Sequence, residues 1–263
     1  MRTLIRRRHV LGVLAVAALF IASFLPQGSI ASAAEVKVLS APAMRGAMNE
    51  LGLPFERATG HKLVIQYGLA PWFRQRIDAG ETFDVAIFTP AVIDDLTKQG
   101  KIAVGTRANI ARSGLGVAVR TGAPKPDISS IDAFKRMLLN AKSVAYTGEG
   151  TSGTYFLGLL ERLGIAAEMK AKLKPMAAGA VGQSVVTGEA EISVIPIPSI
   201  LVVPGAELVG PLPSELQTYI EFIAVVRMGA KETEAASALL KFLTTPEAAA
   251  VLKAKGMEPA APK

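Results

Sequence analysis

Cysteine is absent from the 263-residue chain, and histidine occurs only at His9 and His61. Without cysteine there are no disulfide frameworks, thiolate zinc sites, iron–sulfur clusters or cysteine nucleophiles. Charge is sparse at 19%, and aromatic residues make up 6%. Against that scarcity, 50% of the residues are hydrophobic, which excludes a disordered chain, a collagen and a coiled coil. Beyond the N-terminal block no apolar run approaches the roughly 20 residues that cross a bilayer, so a polytopic membrane protein is excluded as well. No metal site and no cofactor is expected.

The N-terminal block reads as an export signal. Arg2, Arg6, Arg7 and Arg8 precede any acid, Val10 to Leu25 is almost wholly apolar, and Pro26 and Gly28 lead to the small residues Ala31-Ser32-Ala33-Ala34. A basic start, a short apolar stretch and small residues at the cut describe a secretory signal peptide over residues 1–34. Cleavage is expected after Ala34, with Ala33 as the alternative, and delivers the chain to the periplasm. An uncleaved anchor is disfavoured because the apolar stretch is short for a bilayer. Arg7-Arg8 resembles a twin-arginine signal only faintly, since Arg6 precedes the pair.

Removing this segment takes four of the 29 basic groups and none of the 22 acidic ones, which reduces the net charge from +7 to +3. With no basic cluster longer than a pair and little aromatic interleaving, nucleic acid is not an expected partner. A mild positive balance suits a receptor for small anions and equally suits solvated surface lysines.

The remaining chain alternates strand and helix patterns. Strands are expected at Val36–Ser40, Leu63–Tyr67 and Phe83–Phe88, with helices at Ala43–Ala58, Pro71–Ala79 and Thr89–Gln99 between and after them. A strand over Gly114–Arg120, a loop at Thr121–Pro126 and a helix over Ile131–Ala141 follow. A second unit begins at Ser143–Tyr146, with helices at Tyr155–Leu163, Ala166–Leu173 and Val181–Thr187 and a strand at Ile192–Pro196. Tyr219–Arg227 is a long strand, and Glu232–Leu243 and Pro246–Lys255 are closing helices. Such alternation specifies an α/β fold of mostly parallel sheets flanked by helices. Two lobes are expected, residues 35–120 with a return segment of about 219–263, and residues 121–218, the first crossing falling at Arg120–Lys125. Ligands of such sheets sit beyond the carboxyl ends of the strands, in the cleft.

Strand ends meet helix starts at Ser40-Ala41-Pro42-Ala43, Gly68-Leu69-Ala70-Pro71, Thr89-Pro90 and Thr151-Ser152-Gly153-Thr154. Each offers unpaired N–H groups at a positive helix end, an arrangement that holds an oxyanion or carboxylate without a cationic side chain. Ordinary capping explains any one of them alone; their recurrence favours a site. Trp72 with Arg74 and Arg76 offers a wall and a guanidinium clamp, against the alternative of core packing and surface ion pairs. Tyr155 either points its hydroxyl into the cleft or packs. His61 is expected to be exposed, at the amino end of its strand and away from the cleft. Gly148-Glu149-Gly150-Thr151-Ser152-Gly153 matches the G-x-G-x-x-G spacing of dinucleotide sites, but that fingerprint needs a following strand ending in an acid, where Ala166–Leu173 reads as helix. No lysine follows the last glycine, which excludes a P-loop.

Val38-Leu39-Ser40-Ala41, Arg76-Ile77 with Ala79-Gly80 and Asp84-Val85, Thr151-Ser152-Gly153-Thr154-Tyr155 ahead of Leu163-Gly164, Thr187-Gly188-Glu189-Ala190, and Phe242-Leu243 with Pro246-Glu247-Ala248-Ala249 together resemble periplasmic molybdate-type binding proteins of ABC importers. The resemblance implies a two-lobed, type II periplasmic binding fold, a monomer that closes on a small anion and hands it to a membrane permease. It also implies hydroxyl ligands at positions where this chain has Ala43, Ala70 and Pro196. Each deleted hydrogen bond costs roughly 1–3 kcal/mol, which argues against molybdate or tungstate and for an organic carboxylate. The ligand-binding set is expected to be Ser40, Ala41, Ala43, Leu69, Ala70, Trp72, Thr89, Thr151, Ser152, Gly153 and Tyr155. The chain also resembles an enzyme branch of the same superfamily, the periplasmic aconitate isomerases, which interconvert cis- and trans-aconitate. Such chemistry needs a positioned base, for which Glu149 and Tyr155 are the candidates.

Overall fold

The computed structural model describes residues 33–261, so the export signal, apart from Ala33 and Ala34, lies outside the described residues. Strand β1 (Glu35–Ser40) buries Val36 and Val38 completely. A 3-10 turn over Pro42–Met44 leads into α1 (Arg45–Thr59), whose Ala47, Met48, Leu51 and Phe55 form one buried stripe at helical spacing. Gly60 ends α1 with φ 74°, a left-handed value that glycine adopts without a Cβ penalty. Then come β2 (Lys62–Tyr67), α2 (Ala70–Asp78), β3 (Val85–Phe88) and α3 (Pro90–Lys98). Both β2 and β3 run parallel to β1, as the alternation requires.

Strand β4 (Ala108–Arg120) is the longest, and it begins at Ala108 rather than at Gly114. Its first half carries Asn109 and Arg112 on an outward side, and these polar residues hide the strand pattern. Residues Ala108–Gly114 pair antiparallel with β9 (Tyr219–Val226), while Leu115–Arg120 pair with β7 (Ile192–Pro196) and β8 (Ala206–Pro211). One strand thus belongs to two sets of partners, and the set changes at Gly114–Leu115.

The second unit contains α4 (Ile131–Asn140), β5 (Val144–Thr147), α5 (Thr151–Arg162), α6 (Ala166–Met169), β6 (Leu173–Met176) and α7 (Val181–Thr187). The helix expected to reach Leu173 stops at Met169, and β6 pairs parallel with β5. Pro175 is tolerated there because β6 is the sheet's edge, where a missing N–H leaves no ladder bond unmade. Between β7 and β8 lies α8 (Ile197–Leu201); both α8 and β8 fall in a segment punctuated by Pro196, Pro198, Pro204 and Pro211, which conceals them in the sequence. After β9 come α9 (Thr233–Leu243), α10 (Pro246–Ala254) and β10 (Glu258–Pro259). The sheet runs β2-β1-β3-β9-β4-β7-β5-β6 with helices on its faces. At the amino end of β3, buried Asp84 accepts the N–H groups of Lys37 (2.9 Å) and Glu232 (3.2 Å), tying the return segment to β1.

Candidate functional site

Parallel strands bring their carboxyl ends to one edge. There β1 turns towards α1, β2 into α2, β3 into α3 and β5 into α5, each within a few residues. A cavity of about 320 Å³ is bounded by these turns, together with the start of α7 and residues of α8. Its hydroxyls come from Thr89, Thr147, Thr151, Ser152 and Ser199, and the rest of its wall is apolar or glycine except for Arg45.

The N-caps of α2, α3 and α5 are Leu69, Thr89 and Gly150, and none makes a side-chain capping bond. The two helices that are capped in this way among those described, α4 by Ser130 and α10 by Thr245, begin away from the cavity. First-turn N–H groups have no partner within their own helix, and each helix start is equivalent to roughly half a positive charge. The cavity therefore gathers donors and positive potential without a lysine.

Of the residues expected at the site, Ala41, Ala43, Leu69, Ala70, Thr89, Thr151 and Ser152 line this cavity. Four do not. Ser40 is fully buried, and its hydroxyl turns to the Ala41 carbonyl. Trp72 lies outside the wall, 45% exposed, folded against Gly68 and Phe73. The expected guanidinium clamp is not formed, because Arg74 pairs with Asp95, and Arg76 pairs with Glu81 while standing 4.3 Å above the Trp72 ring. Gly153 serves packing: a Cβ there would stand 1.8 Å from the Thr147 carbonyl oxygen. Tyr155 donates its hydroxyl to the Leu216 carbonyl (2.7 Å) and accepts from Arg162 (2.9 Å). Glu149 is exposed and also outside the wall. His61 is half-buried rather than exposed, because its Nδ1 accepts the Ala34 N–H across the sheet's far edge.

Arg45 was not expected. It is the one charged side chain in the cavity wall, and its guanidinium lies 4.3 Å from the Tyr67 ring centroid. Burial pushes the Tyr67 phenol up to about 12, although Arg45 pulls it down, and the phenol donates to Asn49 Oδ1 at 2.9 Å. A signal existed in the sequence: an arginine just past a helix start sits at the positive end of the dipole, at a cost of about 0.3–1 kcal/mol unless an anion faces it.

The glycine-rich turn is followed by a strand after all, since β6 occupies Leu173–Met176. It ends at Met176-Ala177-Ala178, with no carboxylate for a ribose, so the dinucleotide fingerprint remains incomplete. Among the described residues no group of three or more His, Asp or Glu side chains is arranged to hold a metal ion.

A family model described as bacterial extracellular solute-binding protein matches residues 36–258. The chain belongs to this family. The solute-binding protein is 33% identical over 255 residues to an aconitate isomerase from Pseudomonas sp, covering 95% of this chain and 97% of that one. It is 29% identical over 236 residues to a molybdate-binding protein from Azotobacter vinelandii, covering 86% and 90% of the two chains. The solved Azotobacter vinelandii periplasmic molybdate-binding protein superposes with a TM-score of 0.73 at 21% identity, over 87% of this chain and all of that one. The solute-binding protein accordingly has the two-lobed, type II α/β fold, its sheet flanked by helices and mixed, because β4 pairs antiparallel with every one of its neighbours.

Proposed function

We propose that this solute-binding protein is a periplasmic receptor for a small organic carboxylate, which it delivers as a monomer to the permease of an ABC importer. The lobes of this reading are residues 35–120 with the return at about 219–263, and residues 121–218, the chain crossing within β4, whose Leu115–Arg120 half already pairs with β7 and β8 of the second lobe. The observation that carries the ligand class is the cavity wall. Ala43, Ala70 and Pro196, standing where the molybdate-type pattern calls for hydroxyls, all border it. Three helix starts and Arg45 together supply on the order of +2.5 charges, which suits a ligand with more than one carboxylate.

A second reading, an aconitate isomerase, is favoured by the 33% identity that extends over nearly the whole of both chains. Moving a proton within aconitate requires a base beside the substrate carbon. Among the described residues the cavity wall offers no carboxylate, imidazole, amine or phenol, and the Tyr155 hydroxyl is engaged elsewhere. The receptor reading is therefore preferred. Incubating the purified protein with cis- and with trans-aconitate is expected to give saturable binding and no interconversion by chromatography; turnover would overturn the receptor in favour of the isomerase.

A further inference from the structure

Arg45 has features that the receptor reading leaves unexplained. Arg74, Arg76, Arg107 and Arg112 each face a carboxylate of the protein, namely Asp95, Glu81, Asp94 and Glu258. Among the described residues Arg45 has no such partner within 4 Å, and neither do Arg57, Arg120, Arg136, Arg162 and Arg227; of these six, Arg45 alone lines the cavity, as an exposed residue at the positive end of α1. The Tyr67 ring beneath it restricts the guanidinium plane, and the Asn49 carbonyl oxygen in turn fixes the phenol. Tyr67 stays protonated through neutral pH, so it supplies a surface rather than a counter-charge. A planar fork of donors held on the Tyr67 ring, at a residue that lines the cavity, is suited to a carboxylate bound through two parallel hydrogen bonds.

We infer that Arg45, oriented by Tyr67, receives a second carboxylate of the ligand, so that the cavity selects di- and tricarboxylates over monocarboxylates. This rests on the receptor reading, in which the starts of α2, α3 and α5 hold the first carboxylate. Arg45 is the specificity-determining residue, and Tyr67 acts through it as a positioning residue.

Calorimetric titration with trans-aconitate and with crotonate, which shares an unsaturated chain but carries one carboxylate, tests the inference. The unsubstituted protein is expected to bind trans-aconitate at least tenfold tighter than crotonate. Arg45→Gln should weaken trans-aconitate at least tenfold and crotonate less than twofold, with Arg45→Lys intermediate because it loses the fork but keeps the charge. Tyr67→Phe keeps the ring but loses the Asn49 bond and should fall between the unsubstituted protein and Arg45→Gln in selectivity, whereas Tyr67→Leu should lose selectivity as Arg45→Gln does. Equal weakening of both ligands by Arg45→Gln, no weakening of either, or no initial preference for trans-aconitate would overturn the role of Arg45 while leaving the receptor reading intact. An unsubstituted protein that binds no carboxylate would overturn the receptor reading itself, and this inference with it.

Discussion

Gly153→Ala is expected to lower the melting temperature by about 6–12 °C and to weaken ligand binding at least tenfold. The added methyl would meet the Thr147 carbonyl oxygen at 1.8 Å. Both partners are backbone, in the first turn of α5 and at the end of β5, so no side-chain rotation relieves the clash and the helix start must move away from the strand. Overpacking costs typically 1–3 kcal/mol and more where nothing can yield. At about 2–4 °C per kcal/mol for a chain of this size, a loss of about 3 kcal/mol gives the stated shift. Binding suffers because the same displacement carries Thr151 and Ser152 away from the cavity. Gly158→Ala is the control: it lies in the same helix with nothing within 4 Å of its missing Cβ, and alanine should stabilise α5 by about 0.5–1 kcal/mol. Thermal melts and calorimetric titration of the two variants check the pair; equal behaviour would contradict the packing argument.

Asp84→Ala carries the second large effect, and it separates stability from binding. Removing the carboxylate leaves the Lys37 and Glu232 N–H groups without their acceptor in a buried setting. At about 1–3 kcal/mol for each of the two abandoned donors, the total is about 2–6 kcal/mol, or a melting temperature roughly 4–24 °C lower at about 2–4 °C per kcal/mol. Asp84→Asn keeps one carbonyl acceptor and should lose about half as much. Because Asp84 stands at the amino end of β3 and the cavity lies beyond its carboxyl end, affinity measured well below the melt should change less than about twofold. A large loss of affinity in the folded variant would mean that the return segment is coupled to the cavity.

The strand–helix alternation was legible because most elements bury one face at a clear period and end at glycine or proline: Gly60 stops α1, and Pro71 and Pro90 start α2 and α3. Elements that satisfy tertiary partners instead of a local pattern were not. The first half of β4 is held by β9, more than a hundred residues away, and Pro175 disguises β6 at the edge. At the cavity, the expected residues that follow strand ends line the wall, because that position needs only chain direction. Trp72 and Tyr155 stand outside the wall because a helical residue's side chain faces whichever partner the tertiary structure offers: the Gly68 backbone for Trp72, the Leu216 carbonyl for Tyr155. Arg45 was missed because nothing local distinguishes it from a solvated arginine except its place at a helix start.

The most direct test of an organic carboxylate held by helix starts is a thermal-shift comparison of molybdate, sulfate, trans-aconitate, citrate and succinate on the purified protein. A ligand at about 100 times its dissociation constant adds about 2.7 kcal/mol to the folded state, or roughly 5–10 °C. The account predicts a rise of that size with a di- or tricarboxylate and about 1 °C or less with molybdate. The largest rise arriving with molybdate or sulfate would contradict it.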